Sequence, residues 1–413
     1  MQLTKSSVAP YLNFRLVLLL IFPCFSFLIF LSLSSTNTNF LQVAVRSKSV
    51  PDLTRLRNED EKKKELLLRS RIAVCLVGGA RKFELTGPSI VENVLNVYPN
   101  TDLFLHSPLD KDSFKFSIFK DIAPRIASIR IFKPTKLNET ESQRRVLTPS
   151  DSPNGIQGLL QYFSLVEGCL TMINDFQIQN NFTYDWIVRT RVYGYWNAPL
   201  SPDNFLPNDH YLVPSGLNYR GCNDRLGIGN LYTSKIALSR LSLIPQLDAA
   251  GFRQVNSETS FKAQLTTEGV KFFENHLPFC VVSPRTFDFP PTRYGVPIAS
   301  ISSPGPRSGA FCRPCKPVCT GACADEIMQI LKIGWRIEGG NGTIQLCDAH
   351  GEWESGWENN FDRFAGEKLA ELRRRVMESK FEKCVNDFDE MKKRTVNWDA
   401  PDAKQICGIA SRR

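Results

Sequence analysis

The chain has 413 residues, 42% of them hydrophobic, and a formal charge of +9 at pH 7. That is enough apolar content to bury a large core, organised as two domains or as one large domain with appendages, and too much for a disordered chain. The excess of Lys and Arg is scattered and forms no basic stripe interleaved with aromatic residues, so nucleic acid is excluded as the expected partner.

Residues 16–33 carry no charge, follow Lys5 and Arg15, and are long enough to cross a bilayer. Their Ser-rich end offers no small-x-small cleavage site, so the expectation is an uncleaved signal-anchor rather than a removed signal peptide, with residues 1–15 as a cytosolic tail. Arg46, Lys48, Arg55 and Arg57 dilute the positive-inside bias. Orientation therefore rests on the sequons at Asn138, Asn181 and Asn341 and on the many cysteines, which fit a lumenal body. The expected topology is single-pass type II in the secretory pathway, most fittingly the Golgi apparatus. Residues 34–70 are polar, with a charge run at 57–65 that has little to bury, and read as a stem.

Folded structure is expected from residue 71. Residues 71–77 form a β-rich apolar run that ends in Gly78, Gly79 and Arg81. A helix at 88–98, strands at 102–106 and 126–132, a surface loop at 133–153 and a helix at 155–177 follow. The chain then reaches Tyr184, a strand over 186–191, and an Arg- and Tyr-rich strand end. Beyond it come a short strand at 210–213, a Gly-containing segment at 221–229, helices at 233–244 and at 257–269 with Ser257 as the cap, and strands at 270–273 and 279–282. Alternation of this kind predicts an α/β fold, a mainly parallel sheet with flanking helices, over residues 71–299. From about residue 300 the composition turns to Pro, Gly, Ser and Cys, which marks a Cys-rich, partly helical extension over 300–413. One helix is expected at 367–394, with Leu369, Leu372, Val376, Cys384, Phe388 and Met391 inward and the basic triplets 373–375 and 392–394 on a solvated face.

Eleven of the twelve cysteines lie beyond the membrane segment, so at least one is unpaired. The C-x2-C-x3-C-x3-C group of Cys312, Cys315, Cys319 and Cys323 has no second knuckle, which favours disulfides over a metal. Cys347, Cys384 and Cys407 join it as disulfide candidates. Cys75, in a strand, and Cys169, in a helix, are expected as buried free thiols.

Candidate chemistry gathers at the carboxyl edge of the 186–191 strand, where open α/β sheets bind ligands. Arg189 and Arg191 alternate along that strand and share a face, so they either clamp an anion or form a structural ion pair. Gly78 and Gly79 would let a backbone approach phosphates, with Arg81 supplying charge, or form a plain tight turn; neither the G-x-G-x-x-G nor the P-loop spacing is present. His106 reads as a packed residue rather than one facing the cleft. Asp224 and Glu258 are carboxylates near glycines and at a helix start, with cap or surface roles as alternatives to base chemistry.

Four motifs carry a resemblance: residues 74–81, 184–191 and 223–229, and Glu258 with Gln264, Leu265, Gly269 and Val270. Over about 71–408 the chain resembles a plant family of single-pass type II membrane proteins, the likeness extending through 311–315, 346–353 and 396–401. More distantly it is similar to glycosyltransferases of the GT-A type. That resemblance implies a nucleotide-sugar donor held by Gly78, Gly79, Arg81, Arg189, Arg191 and Tyr193, with Asp224 and Glu258 in acceptor-side or base roles. It implies transfer to a hydroxyl of a glycan or other acceptor, and association with the bilayer and with other Golgi proteins. GT-A enzymes commonly hold a divalent cation such as manganese with an Asp at this strand end; here position 193 is Tyr193. A phenol is a poor ligand for a hard cation. The remaining options are neutralisation by Arg81, Arg189 and Arg191, a metal held by Asp224, or a non-catalytic scaffold for active transferases.

Overall fold

A computed structural model describes residues 53–150, 152, 154–206, 209–331 and 344–410. The expected tail and anchor (1–33) and the sequon at Asn341 lie outside those residues, and among the described ones no helix is long and apolar enough to cross a membrane. The described residues from Lys62 onward form one compact unit.

In chain order the elements begin with α1 (Leu53–Arg69), β1 (Ile72–Val77), α2 (Phe83–Ile90), β2 (Thr101–Pro108), α3 (Phe119–Ile122), β3 (Ile126–Phe132), α4 (Glu141–Val146), α5 (Gly155–Asn180), β4 (Trp186–Arg191) and β5 (Gly194–Trp196). The next are β6 (His210–Pro214), β7 (Leu226–Asn230), α6 (Leu231–Leu238), α7 (Ile244–Ala249), α8 (Ser257–Thr267), β8 (Lys271–Asn275) and β9 (Phe279–Val282). The last are β10 (Ala299–Ser300), β11 (Phe311–Arg313), α9 (Ala322–Ile330), α10 (Trp357–Ala365), α11 (Glu367–Met377), α12 (Phe381–Arg394), β12 (Thr395–Asp399) and α13 (Ala403–Ala410).

The expected mainly parallel sheet is present. It has eight strands in the order β12-β3-β2-β1-β4-β7-β6-β8. Only β7 runs against its neighbours, pairing antiparallel with β4 and β6. All six residues of β1 are buried, as a strand covered on both faces requires. One face carries a core that includes Val74, Leu76 and Phe83 and extends to Phe388 and Met391 of α12. The other face carries Cys75, Phe104, Ile187 and the apolar side of α5.

Across the second face Cys75 and Cys169 are joined as a disulfide between β1 and α5, which corrects the expectation of two free thiols. A buried Cys on a strand and one on the covering helix look alike to sequence whether bonded or not; only their Cα separation of 6.2 Å decides. Among the described residues the unpaired cysteine is Cys222, whose thiol burial pushes up to about 12, leaving it inert. Because the β1–α5 bridge closes 94 residues, the double variant Cys75→Ala, Cys169→Ala is expected to lose about 4.7 kcal/mol in urea unfolding.

A second sheet of order β10-β11-β9-β5 draws strands from both sides of residue 300. Every expected disulfide candidate is bonded: Cys312 to Cys280 of β9, Cys315 to Cys347, Cys319 to Cys323, and Cys384 to Cys407. The helix expected over 367–394 is two, since α11 ends at Met377 and α12 restarts after an extended Lys380. The triplet 373–375 is tied down rather than solvated, whereas 392–394 is exposed as expected, although Arg394 is anchored. Arg373 makes two bonds of 2.8 and 2.9 Å to Asp362, Arg375 meets Asp121 at 2.6 Å, and Arg394 donates to the carbonyls of Lys120 and Ala123. Of the sequons, Asn138 and Asn181 are exposed.

Candidate functional site

β4 delivers its two arginines to one face, as alternation requires. Arg189 is fully buried and donates to the Tyr162 hydroxyl at 3.3 Å and to the Asp224 carbonyl. Arg191, opposite Val77 of β1, lies nearer the surface and reaches three partners. Its Nη2 meets Asp224 Oδ1 at 2.7 Å, its Nη1 donates to the Tyr193 hydroxyl at 2.7 Å, and its guanidinium lies 4.4 Å from the centre of the Tyr162 ring. Asp224 thus meets both arginines, Arg191 through its carboxylate and Arg189 through its main-chain carbonyl.

Asp224 is buried, and its second oxygen accepts from the Ser257 hydroxyl at 2.5 Å. Burial alone would raise its pKa; Arg191, Arg240 and Arg189 outweigh that and hold it at about 2. A carboxylate so acidic, with both oxygens engaged, orients its neighbours and is a poor proton acceptor. Arg240 enters from the turn after α6, donating to the Ser257 carbonyl at 2.7 Å and to the Ser260 hydroxyl at 3.1 Å, between the rings of Phe163 and Phe261.

Glu258 has the opposite character. It is half-buried in the first turn of α8, and burial together with the charge on Asp224 raises its carboxyl to about 7. Two carboxylates, one fixed as an anion and one changing protonation near neutrality, divide the orienting and proton-transfer roles between them. The backbone beside Glu258 is closely packed: a Cβ at Gly221 would lie 2.0 Å from the Glu258 carbonyl carbon, so this approach admits only glycine. Cys222 N–H seals the contact by donating to the Glu258 carbonyl at 3.0 Å.

At the other end of the same side-chain chain lies the loop after β1. Gly78 sits at φ +117°, open to glycine alone, and its N–H donates to the His106 carbonyl at 3.2 Å. Gly79 lies beneath the Asp110 carboxylate, where a Cβ would be 2.3 Å from Oδ2. Arg81 is exposed, with its guanidinium 5.2 Å from the Tyr193 ring centre. Buried Lys115 fixes the loop by donating to the Arg81 carbonyl while pairing with Glu84 at 2.8 Å and Asp112 at 3.0 Å. Thr86 anchors Val192 from below, its hydroxyl donating to that carbonyl at 2.6 Å. A continuous path of contacts thus runs from Arg81 through Tyr193, Arg191 and Asp224 to Ser257, the residue before Glu258.

Residues 67–413 match the family described as Domain of unknown function (DUF7796). The chain belongs to the DUF7796 family. No curated protein matches it. The matched span takes in every residue of the site just described.

Of the predicted site residues of this DUF7796 domain, Arg81, Arg189, Arg191, Tyr193, Asp224 and Glu258 are gathered with the Gly78–Gly79 turn at the carboxyl edge of β1 and β4. His106 is not among them. It is buried, its Nδ1 is 2.7 Å from the Leu165 carbonyl, its ring lies beside Phe132, and burial brings its pKa down to about 4. The residues do not fit a divalent cation. The Tyr193 hydroxyl is taken by Arg191, Asp224 Oδ1 is taken by Arg191 and Oδ2 by the Ser257 hydroxyl, and no group of three or more His, Cys, Asp or Glu among the described residues could hold a metal.

Several members escaped sequence reasoning. Tyr162 occupied a helix position indistinguishable from packing, and Arg240 lay inside a stretch read as continuous helix, whereas α6 stops at Leu238. The sequence pattern points to Ser257 as the α8 cap. Asn256 caps that helix, its side chain accepting from Thr259 N–H at 2.8 Å, and the Ser257 hydroxyl is thereby available to Asp224.

Proposed function

We propose that this domain is a GT-A-type glycosyltransferase that binds a nucleotide sugar without a metal ion and transfers the sugar to a hydroxyl. The parallel run β3-β2-β1-β4, followed by antiparallel β7, supports the fold assignment, and the loop after β1 stands where such sheets bind ligands. The observation that carries the reading is the run of contacts from Arg81 through Tyr193, Arg191 and Asp224 to Ser257, with Glu258 next in the chain and its carboxyl raised where that of Asp224 is lowered. In this reading Arg81 and Arg191 neutralise the diphosphate, Tyr193 bridges them, Asp224 orients Arg191, and Glu258 accepts the acceptor's hydroxyl proton. The five disulfides and the exposed sequons support placing the domain in the lumen of the secretory pathway behind the amino-terminal anchor.

The competing reading, a non-catalytic partner of active transferases, is favoured by one observation, the Tyr at position 193. The test is binding of uridine and guanosine diphosphates to the full-length chain, followed by melting temperature. Saturating diphosphate is expected to raise stability by about 2.7 kcal/mol at a hundredfold excess over Kd, equally with manganese or with a chelator. Arg81→Ala is expected to weaken binding about tenfold. No response to any nucleoside diphosphate would rule out the donor site, and a response that needs manganese would overturn its arginine basis. Binding without transfer to any hydroxyl would select the non-catalytic reading.

A further inference from the structure

The loop between β6 and β7 is bent into a conformation that side chains avoid. Four of residues 216–220 have positive φ: Gly216 at 70°, Leu217 at 51°, Tyr219 at 41° and Arg220 at 70°. Three are not glycine, and each such residue costs about 1 kcal/mol or more, so the surrounding structure must hold it in place. The holding groups are present. Buried Asn223 donates to the Gly216 carbonyl at 2.9 Å and the Ser308 carbonyl at 3.2 Å, and Gly221 N–H donates to the Asn218 carbonyl at 2.6 Å.

The bend sets half-exposed Tyr219 against Arg225, to which it is hydrogen-bonded, in the field of Glu258 and Arg285. Arg225 is 7% exposed, its guanidinium is 4.9 Å from the Phe311 ring centre, and its Nη1 is buried without a hydrogen-bond partner among the described residues. Around Asp224 and Glu258 stand four guanidiniums, those of Arg189, Arg191, Arg225 and Arg240. Of the two carboxylates only Asp224 is always charged at neutral pH. Buried positive charge in such excess is costly unless an anion meets it. Asp224 is already shared by Arg191 and Ser257, which leaves Arg225 Nη1 without a hydrogen-bond partner among the described residues.

We propose that Tyr219, Arg225 and Arg285 form the acceptor subsite and bind the carboxylate of an acidic saccharide, presenting one of its hydroxyls to Glu258. A guanidinium with a free N–H matches a carboxylate, and the exposed phenol ring offers a face to a sugar ring. The role of Glu258 rests on the transferase reading: its carboxylate takes the hydroxyl proton, the acceptor oxygen bonds to the anomeric carbon, and the anomeric carbon–diphosphate oxygen bond breaks to release the nucleoside diphosphate. Binding of the acidic sugar does not depend on that reading.

The experiment titrates the full-length chain with glucuronate, glucose, inorganic phosphate and sodium chloride at matched ionic strength, following melting temperature and heat of binding. Glucuronate is expected to bind saturably and at least tenfold more tightly than glucose. Arg225→Gln should remove that preference. Because a buried arginine variant can fail to fold, Arg285→Gln and Tyr219→Ala, both at exposed positions, are measured beside it and should each weaken glucuronate at least threefold. Equal binding of glucuronate and glucose, a response that tracks ionic strength alone, a response to phosphate without one to glucuronate, or glucuronate binding unchanged in both exposed variants would each overturn the proposal. If glucuronate binds and nucleoside diphosphates do not, the donor site falls and the acidic-sugar site stands; the reverse result removes the acidic-sugar site alone.

Discussion

Asp224→Ala is expected to destabilise the protein by about 3–5 kcal/mol, the range for removing one partner of a buried ion pair. The loss follows from what remains rather than from the bond removed. Arg189 and Arg240 would stay buried beside half-buried Arg191 with no fixed anion among the three, and the Ser257 hydroxyl would lose its acceptor. Asp224→Asn keeps the shape and part of the hydrogen bonding while removing the charge, so it should fall between the wild type and Ala. The pH dependence gives an independent check. Asp224 is lowered from 3.8 to about 2 on folding, so its contribution is present above pH 3.8 and is lost as pH falls through about 2. Urea unfolding at pH 6 and near pH 3 should show the gap between wild type and Ala variant narrowing in acid. A constant gap would mean that Asp224 acts by packing and not by charge.

Much of this fold is written in local patterns. Residues 126–132 form β3 as expected because an apolar β-rich run between turn formers has few other options. The 26 residues of α5 follow one apolar face through Leu159, Phe163, Val166 and Leu170. What local pattern cannot carry is partnership between distant segments. The direction of β7, the return of β12 to pair with β3 at the sheet edge, and the Cys75–Cys169 bridge all depend on which pieces of chain meet.

The candidate site divides in the same way. Arg189 and Arg191 were visible because alternation puts them on one face, and Gly78 because a glycine after a buried strand suggests an unusual turn. Tyr162, Arg225, Arg240 and Ser257 were not, since each gains its meaning only from Asp224 or Glu258, brought close by the packing of α5, α6 and α8. Even where Glu258 was singled out, sequence gave no means of separating it from Asp224. The difference between the two carboxylates is one of environment: three guanidiniums surround one, while the other is desolvated beside an existing negative charge.

That difference makes Glu258→Gln the most discriminating substitution. If Glu258 is the base, transfer should fall by about 10²- to 10⁴-fold, the usual contribution of a positioned proton acceptor. Wild-type turnover should rise with pH through about 7 as the carboxyl loses its proton, and residual activity of the variant should lack that step. Stability should respond in the opposite direction. Folding raises the carboxyl from 4.5 to about 7, so its contribution is fully present below pH 4.5 and is lost as pH rises through about 7. Over that interval the slope is at most about 1.4 kcal/mol per pH unit. Gln is uncharged at every pH and copies the protonated acid, so its variant should match wild type near pH 4 and gain on it towards pH 8. Urea midpoints at the two pH values measure this without any substrate. A variant that loses activity but shows no stability gain at pH 8 would separate the catalytic role from the raised carboxyl; one that gains stability and keeps full transfer would leave Glu258 as a buried acid outside the reaction.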